Sequence, residues 1–176
     1  GILRRGLGVS ACNAALVTNV ANDHLGDYGI LTVPQMAKAK GVVYSVVPES
    51  GCRVFNMDDT HTASLLTDSQ SPALLTSVKG RITSLAEHHT QGGPILYFDG
   101  THIFYEKGPL RKEIIDVVSC PISMNGAALY NISNMLNAIG LAVAIDVPHP
   151  AIVDALHTFG RYWKDNPGRG QMTDVN

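Results

Sequence analysis

The sequence predicts an α/β protein, a parallel sheet with flanking helices and a small antiparallel β-sheet appended to it. Three observations carry that prediction. A short apolar run at residues 14–20, ending in Thr-Asn, and a second strand-like run at 52–57 flank a helix-length amphipathic stretch, the alternation of a buried parallel sheet. The dipeptide Asp99-Gly100 joins two β-like runs and is a strong hairpin signal. A third apolar stretch, residues 127–145, is too long for a strand and reads as a buried helix.

Taken in order, residues 14–20 form a buried strand whose C-terminal end presents the polar pair Thr18-Asn19, and a loop over residues 21–31 follows. Thr32 is placed to cap a helix with Pro34 in its first turn, and Val33, Met36, Ala37, Lys40 and Val43 recur at helical spacing. The tail of that helix, Val-Val-Tyr-Ser-Val-Val at residues 42–47, turns β-like, so a strand is expected there. Residues 48–51 are a turn. The second buried strand ends at Asp58-Asp59, and a short helix starts from about Thr62. From Arg81 the runs 81–85, 94–98, 101–105 and 113–118 all read as strands. After Asn125-Gly126 comes the long helix; Pro148 ends it and opens another, with Ile152, Leu156 and Phe159 on one face. Asn166-Pro167-Gly168-Arg169-Gly170 is a linker by composition, and no internal repeat is visible.

Composition narrows the function classes. The 176 residues are 45% hydrophobic and 16% charged with a formal net charge of −2, the profile of a globular domain rather than of disorder. Thirteen basic against 15 acidic side chains, with no basic run beyond Arg4-Arg5, leave no footprint for nucleic acid or an anionic membrane. The apolar stretch at residues 139–145 is far short of the roughly 20 residues that cross a bilayer, and a cytoplasmic location is expected. Cys12, Cys52 and Cys120 are odd in number and far apart, so they read as reduced thiols rather than a disulfide or metal framework. Gly1 is no initiator, and both ends look like cuts through something larger.

Three features exceed what folding demands. Thr18-Asn19-Val20-Ala21-Asn22-Asp23-His24-Leu25-Gly26 is a polar cluster just beyond a parallel strand, where open α/β sheets place ligands. Asp23 and His24 there suit either a divalent cation or a capped loop with a hydrogen-bonded histidine. Lys38 and Lys40 lie on a helix packed against the sheet, Lys40 on its apolar face. Either its ammonium snorkels to solvent or it is a functional lysine near the loop. Asn131 and Asn134, three residues apart in an apolar helix, point the same way; they suit an adenine edge, or a cap plus one buried hydrogen bond, and Asn137 extends the stripe loosely. His88-His89 lacks a third ligand at metal spacing and reads as a solvated loop, while helix capping accounts for Asp58-Asp59. No GxxxxGK[ST], GxGxxG or GxSxG motif is present, so this chain alone does not cradle a triphosphate in the usual way.

These features align in one family. Gly-Ile-Leu-Arg-Arg-Gly-Leu at residues 1–7, Val-Thr-Asn-Val and Asn-Asp-His-Leu-Gly within 17–26, the Ala-Lys-Ala-Lys helix, Val-Phe-Asn-Met-Asp-Asp at 54–59, Tyr-Asn-Ile-Ser-Asn at 130–134 and Asn-Pro-Gly-Arg at 166–169 resemble the Mur ligase superfamily. Within it they are most similar to the Mur-ligase-like part of the cyanophycin synthetases. Order and spacing agree over nearly the whole chain, and the opening heptapeptide favours that branch over cell-wall Mur ligases and folylpolyglutamate synthases.

The resemblance implies an ATP-dependent amide ligase that phosphorylates a carboxylate to an acyl phosphate, which an amine then attacks. In the cyanophycin synthetases this half of the enzyme is associated with adding arginine to aspartate side chains of a poly-aspartate backbone. By position, His24 matches the family histidine that helps hold Mg²⁺, and Lys40 the lysine carbamylated in many Mur ligases, which makes these two the catalytic and metal-ligating candidates. Asn131 and Asn134 match the Asn-x-x-Asn pair whose second member contacts adenine, and Arg169 the hinge arginine that reaches the nucleotide. Two departures are Tyr130-Asn131 where Mur ligases carry His-Asn, and Met57 in place of a small residue. The implied phosphate loop and metal-binding glutamate belong upstream of Gly1, so the fragment alone is expected to be inactive. Residues 1–165 are then the C-terminal portion of a central ATP-binding domain, and 166–176 the hinge and start of a C-terminal ligase domain. Implied partners are ATP with a poly-aspartate and arginine-type substrate, and a homo-oligomer is common in such enzymes. The alternatives are a cell-wall or folylpolyglutamate-type ligase fragment, or a non-catalytic nucleotide- or partner-binding module.

Overall fold

The structure, a computed structural model, describes residues 5–22, 25–66, 71–162 and 165, with only the backbone at Asp27. Six strands form a single sheet in chain order: β1 (Ala14–Val17), β2 (Cys52–Asn56), β3 (Ala73–Ser77), β4 (Ile95–Phe98), β5 (His102–Lys107) and β6 (Leu110–Asp116). The pairs from β1 to β4 are parallel, and β5 and β6 add antiparallel. The small antiparallel part expected to be appended to the parallel sheet is thus continuous with it, hydrogen-bonded through β4 and β5. Asp99 forms its corner: one carboxylate oxygen accepts from the N–H groups of Thr101 and His102 at 2.9 and 2.8 Å, and Gly100 takes the left-handed turn at φ 109°.

Among the described residues five α-helices cover the two faces: α1 (Val33–Gly41), α2 (Thr60–Ala63), α3 (Thr83–Thr90), α4 (Leu129–Ala144) and α5 (His149–Thr158). On one face Met36, Ala37 and Leu85 pack against Phe55, Leu75, Ile95 and Tyr97. On the other, Ile132, Leu136 and Ile139 of α4 and Ile152 of α5 pack against Val54, Leu74, Leu96 and Ile103. Helix α4 lies close because residue 140 is glycine: a Cβ there would meet Val54 Cγ1 at 2.8 Å. Gly140→Val is therefore expected to destabilise the protein by about 2–3 kcal/mol through overpacking, measured as a lowered denaturation midpoint. Among the described residues no helix is long and apolar enough to cross a membrane.

Two expected strands are absent and one unexpected strand is present. Residues 42–47 do not enter the sheet; Val42–Val46 is a 3₁₀ helix that prolongs α1. The reason is topological, because β1 and β2 pair directly and in parallel, so the chain between them returns outside the sheet. Residues 81–85 run into α3, with Leu85 its buried residue. The strand lies just upstream, in β3. His88 and His89 sit in the last turn of α3, not in a solvated loop: His88 Nε2 lies 2.9 Å from the Ala73 carbonyl and His89 Nε2 3.0 Å from that of Gly108. The proposed linker and hinge at residues 166–176 fall outside the described residues.

The antiparallel end is locked by one buried acid. Glu106 accepts from the Tyr97 hydroxyl at 2.7 Å and from Arg81 Nε at 3.1 Å, while the Arg111 guanidinium lies 3.9 Å over the Phe104 ring. Burial pushes the Glu106 carboxyl up, but the Tyr97 and Arg81 hydrogen bonds outweigh it and hold it below the usual carboxylate range.

Candidate active-site edge

Strand direction decides where function gathers. Helices α1, α2 and α3 each follow a parallel strand and begin at the edge where those strands end. Two reversals after β4, β6 again runs parallel to it, so α4 starts at the same edge. Four helix N-termini, with their partial positive charge, thus face one side of the sheet, the side on which open α/β sheets bind ligands. A cleft of about 910 Å³ lies at the opposite edge, lined among others by Cys52, Arg53, Ala73, His88, Pro94 and Ala144. It receives the C-terminal ends of α3 and α4, whose negative partial charge opposes phosphate binding.

At the C-terminal edge, side chains after β2 tie three strands together. Asn56, only 6% exposed, donates through Nδ2 to the Thr18 carbonyl at 2.7 Å, and its Oδ1 accepts from the Asp58 amide at 3.1 Å. Asp59 caps α2, one oxygen accepting from the amides of His61 and Thr62 at 3.0 and 2.8 Å; the other accepts from the Val20 amide at 3.2 Å. Asp58 turns to β3, accepting from the Ser77 hydroxyl at 2.8 Å and the Val78 amide at 2.6 Å. Thr62, fully buried, closes the turn with a short hydrogen bond from its hydroxyl to the Asn56 carbonyl. Capping explains Asp59, as expected, whereas Asp58 is a strand-to-strand tie that the sequence reading did not separate from it.

The loop leaving β1 is therefore held at its root by two side chains from the β2 end. Its chemistry-bearing residues, Asp23 and His24, lie outside the described residues, as does Arg169. Lys40 is half-buried in the last turn of α1, four and three positions past the buried pair Met36 and Ala37, and Lys38 is exposed. Both lysines oppose the negative helix end there. Among the described residues no three His, Cys, Asp or Glu side chains cluster as a metal centre. Asp58 and Asp59 accept from N–H and O–H donors; Lys40, the described member of the expected metal pair, would offer an oxygen ligand only as a carbamate.

The asparagine stripe of α4 divides into three roles. Asn131, 8% exposed, donates through Nδ2 to the Ile122 carbonyl at 2.7 Å. Asn137, 2% exposed, accepts from the Thr76 hydroxyl at 2.9 Å and so pins the helix to β3. Asn134 is exposed near the N-terminal end of the helix, and beside it Tyr130 is 62% exposed. The buried hydrogen bond foreseen for the pair belongs to Asn131. The amide turned outward, with donor and acceptor together, is that of Asn134.

One further contributor had no sequence signal. Tyr44, on the 3₁₀ segment after α1, places its hydroxyl between β1 and β2: it accepts from the Val17 amide at 3.0 Å and donates to the Val54 carbonyl at 2.9 Å. Its ring stacks on Phe55 with centroids 4.5 Å apart. Burial pushes the phenol up to about 12, so it stays protonated at physiological pH.

The family model described as the Mur ligase middle domain matches residues 4–142. A cyanophycin synthetase of Crocosphaera subtropica is 32% identical over 175 residues, covering 99% of this chain and 20% of the relative. That of a Nostoc species is 31% identical over the same span, covering 19% of the relative. A UDP-N-acetylmuramoylalanine–D-glutamate ligase of Chlorobium luteolum is 30% identical over 148 residues, 83% of this chain and 30% of the relative. The chain thus spans about a fifth of the length of the cyanophycin synthetases it matches.

Proposed function

Because the chain belongs to the Mur ligase middle-domain family, we propose that it is the second half of the central domain of an ATP-dependent amide ligase that joins arginine to aspartate side chains of cyanophycin. The observation that carries this reading is the convergence of the β1 loop root, the Asn56–Asp59 turn and the N-terminal turn of α4 at one sheet edge, in a chain similar end to end to cyanophycin synthetases.

In the proposed reaction, a substrate carboxylate oxygen attacks the γ-phosphorus of ATP. The bond to ADP breaks and an acyl phosphate forms. The amine nitrogen then attacks the acyl carbon, phosphate leaves and the nitrogen loses a proton. Such chemistry asks a protein mainly for positioning and charge neutralisation. Asn134 offers a donor and an acceptor to the adenine edge, and Asn131 fixes the helix turn that carries it. Arg169 is assigned to the phosphates. His24 and a carbamylated Lys40 are assigned to Mg²⁺, which when bound neutralises phosphate charge and prefers oxygen ligands. Asn56 and Asp59 hold the chain at Thr18 and Val20, a few residues before His24.

The test uses the full-length enzyme with a poly-aspartate acceptor, and ADP release is measured with arginine and with other amines. Arginine-dependent release at least tenfold above that with lysine or glutamate is expected. Release driven by a different amine would transfer the assignment to a cell-wall or folate-type ligase. ATP binding without amine-dependent release would leave a non-catalytic nucleotide-binding module.

A further inference from the structure

We propose that Tyr44 is a positioning residue that couples the Lys40 helix to the end of β1, and so sets where the His24 loop leaves the sheet. The inference rests on the ligase reading for its consequence, but its geometry is independent of it. In the parallel register Val17 faces Phe55, which sets the Val17 N–H opposite the Val54 carbonyl. The Tyr44 hydroxyl bridges that pair, accepting from one at 3.0 Å and donating to the other at 2.9 Å. Beyond this point the seam between β1 and β2 continues through side chains, Asn56 to the Thr18 carbonyl and Asp59 to the Val20 amide. Tyr44 is therefore the first of three successive clamps on the chain that becomes the loop.

Its own anchorage is firm. The residue is 8% exposed, and its ring stacks on the fully buried Phe55. It follows Lys40 by four residues in continuous helical backbone, about one turn. A shift of that turn is thus transmitted through one phenol to residue 17, and the reverse holds equally. Phenylalanine would keep the packing and lose the bridge, whereas most hydroxyl-free alternatives would lose both.

Tyr44→Phe in the full-length enzyme separates these roles when amide hydrogen exchange is followed by mass spectrometry alongside kinetics. Exchange over residues 17–20 is expected to rise at least tenfold while β3 and α4 stay protected. The kcat for arginine-dependent ADP release is expected to fall at least tenfold, with KM for ATP within twofold. Phe55→Leu, which removes the stacking partner and keeps the hydroxyl, is the control; it is expected to lower the denaturation midpoint and leave exchange over 17–20 near wild type. Unchanged exchange over 17–20 in Tyr44→Phe, or a normal kcat despite faster exchange, would overturn the proposal. If the unmodified enzyme shows no ATP-dependent ligation, the ligase reading fails by itself, and the exchange comparison still decides whether Tyr44 holds the end of β1.

Discussion

His24→Ala in the full-length enzyme is expected to reduce ATP-dependent turnover by roughly 10²–10³, the loss typical of removing one preorganised electrostatic group from a reacting centre. Stability should change little. Asn56 and Asp59 hold the Thr18 carbonyl and the Val20 amide, and the substitution leaves both hydrogen bonds in place. The expected shift is no more than about 0.5 kcal/mol, the usual range for a substitution that breaks none of the named structural features. Steady-state ADP release at saturating ATP and amine, read beside a denaturation curve, checks both halves. Turnover within twofold of wild type would remove His24 from the site. A large fall in the denaturation midpoint would instead make it a structural residue.

How far the site was legible before the structure depends on whether its signals were local. The apolar run Ala-Ala-Leu-Val at 14–17, ending in Thr18-Asn19, and the Val54-Phe55 core of 52–57 fit strands covered on both faces, and they became β1 and β2. Strand β3, Ala-Leu-Leu-Thr-Ser, escaped because three of its five residues are good or neutral helix formers and its strand state comes from pairing with both β2 and β4. Residues 81–85 misled in the opposite sense: Ile82 and Thr83 favour strands, yet Ile82 is the N-cap of α3. The asparagine spacing in α4 was visible, but residues three apart on a helix still differ by about 60° in direction. That difference suffices to bury Asn131 under the Ile122 carbonyl and leave Asn134 in solvent. Tyr44 carried no local signal, since its hydroxyl partners lie 27 and 10 residues away in sequence and its neighbours are valines and a serine.

Asp59→Ala is expected to damage both stability and turnover, and for separable reasons. The carboxylate satisfies three amides at once, those of His61, Thr62 and Val20. Losing an N-cap of this kind costs about 1–2 kcal/mol, and stranding the Val20 amide in a part-buried site adds roughly 1 kcal/mol. A total of about 2–3 kcal/mol corresponds to a fall of roughly 4–12 °C in Tm for a domain of this size. The turnover loss arises from the Val20 contact, because residue 20 lies four positions before His24. Asp59→Asn distinguishes the two. An asparagine Oδ1 still caps α2 through His61 and Thr62, but its amide nitrogen then faces the Val20 N–H, donor against donor. This variant should keep most of the Tm while losing turnover by at least tenfold, with kcat rather than KM for ATP affected. Tm and turnover both close to wild type in Asp59→Asn would show that the cap is the whole role of Asp59 and that the root of the β1 loop needs no clamp from β2.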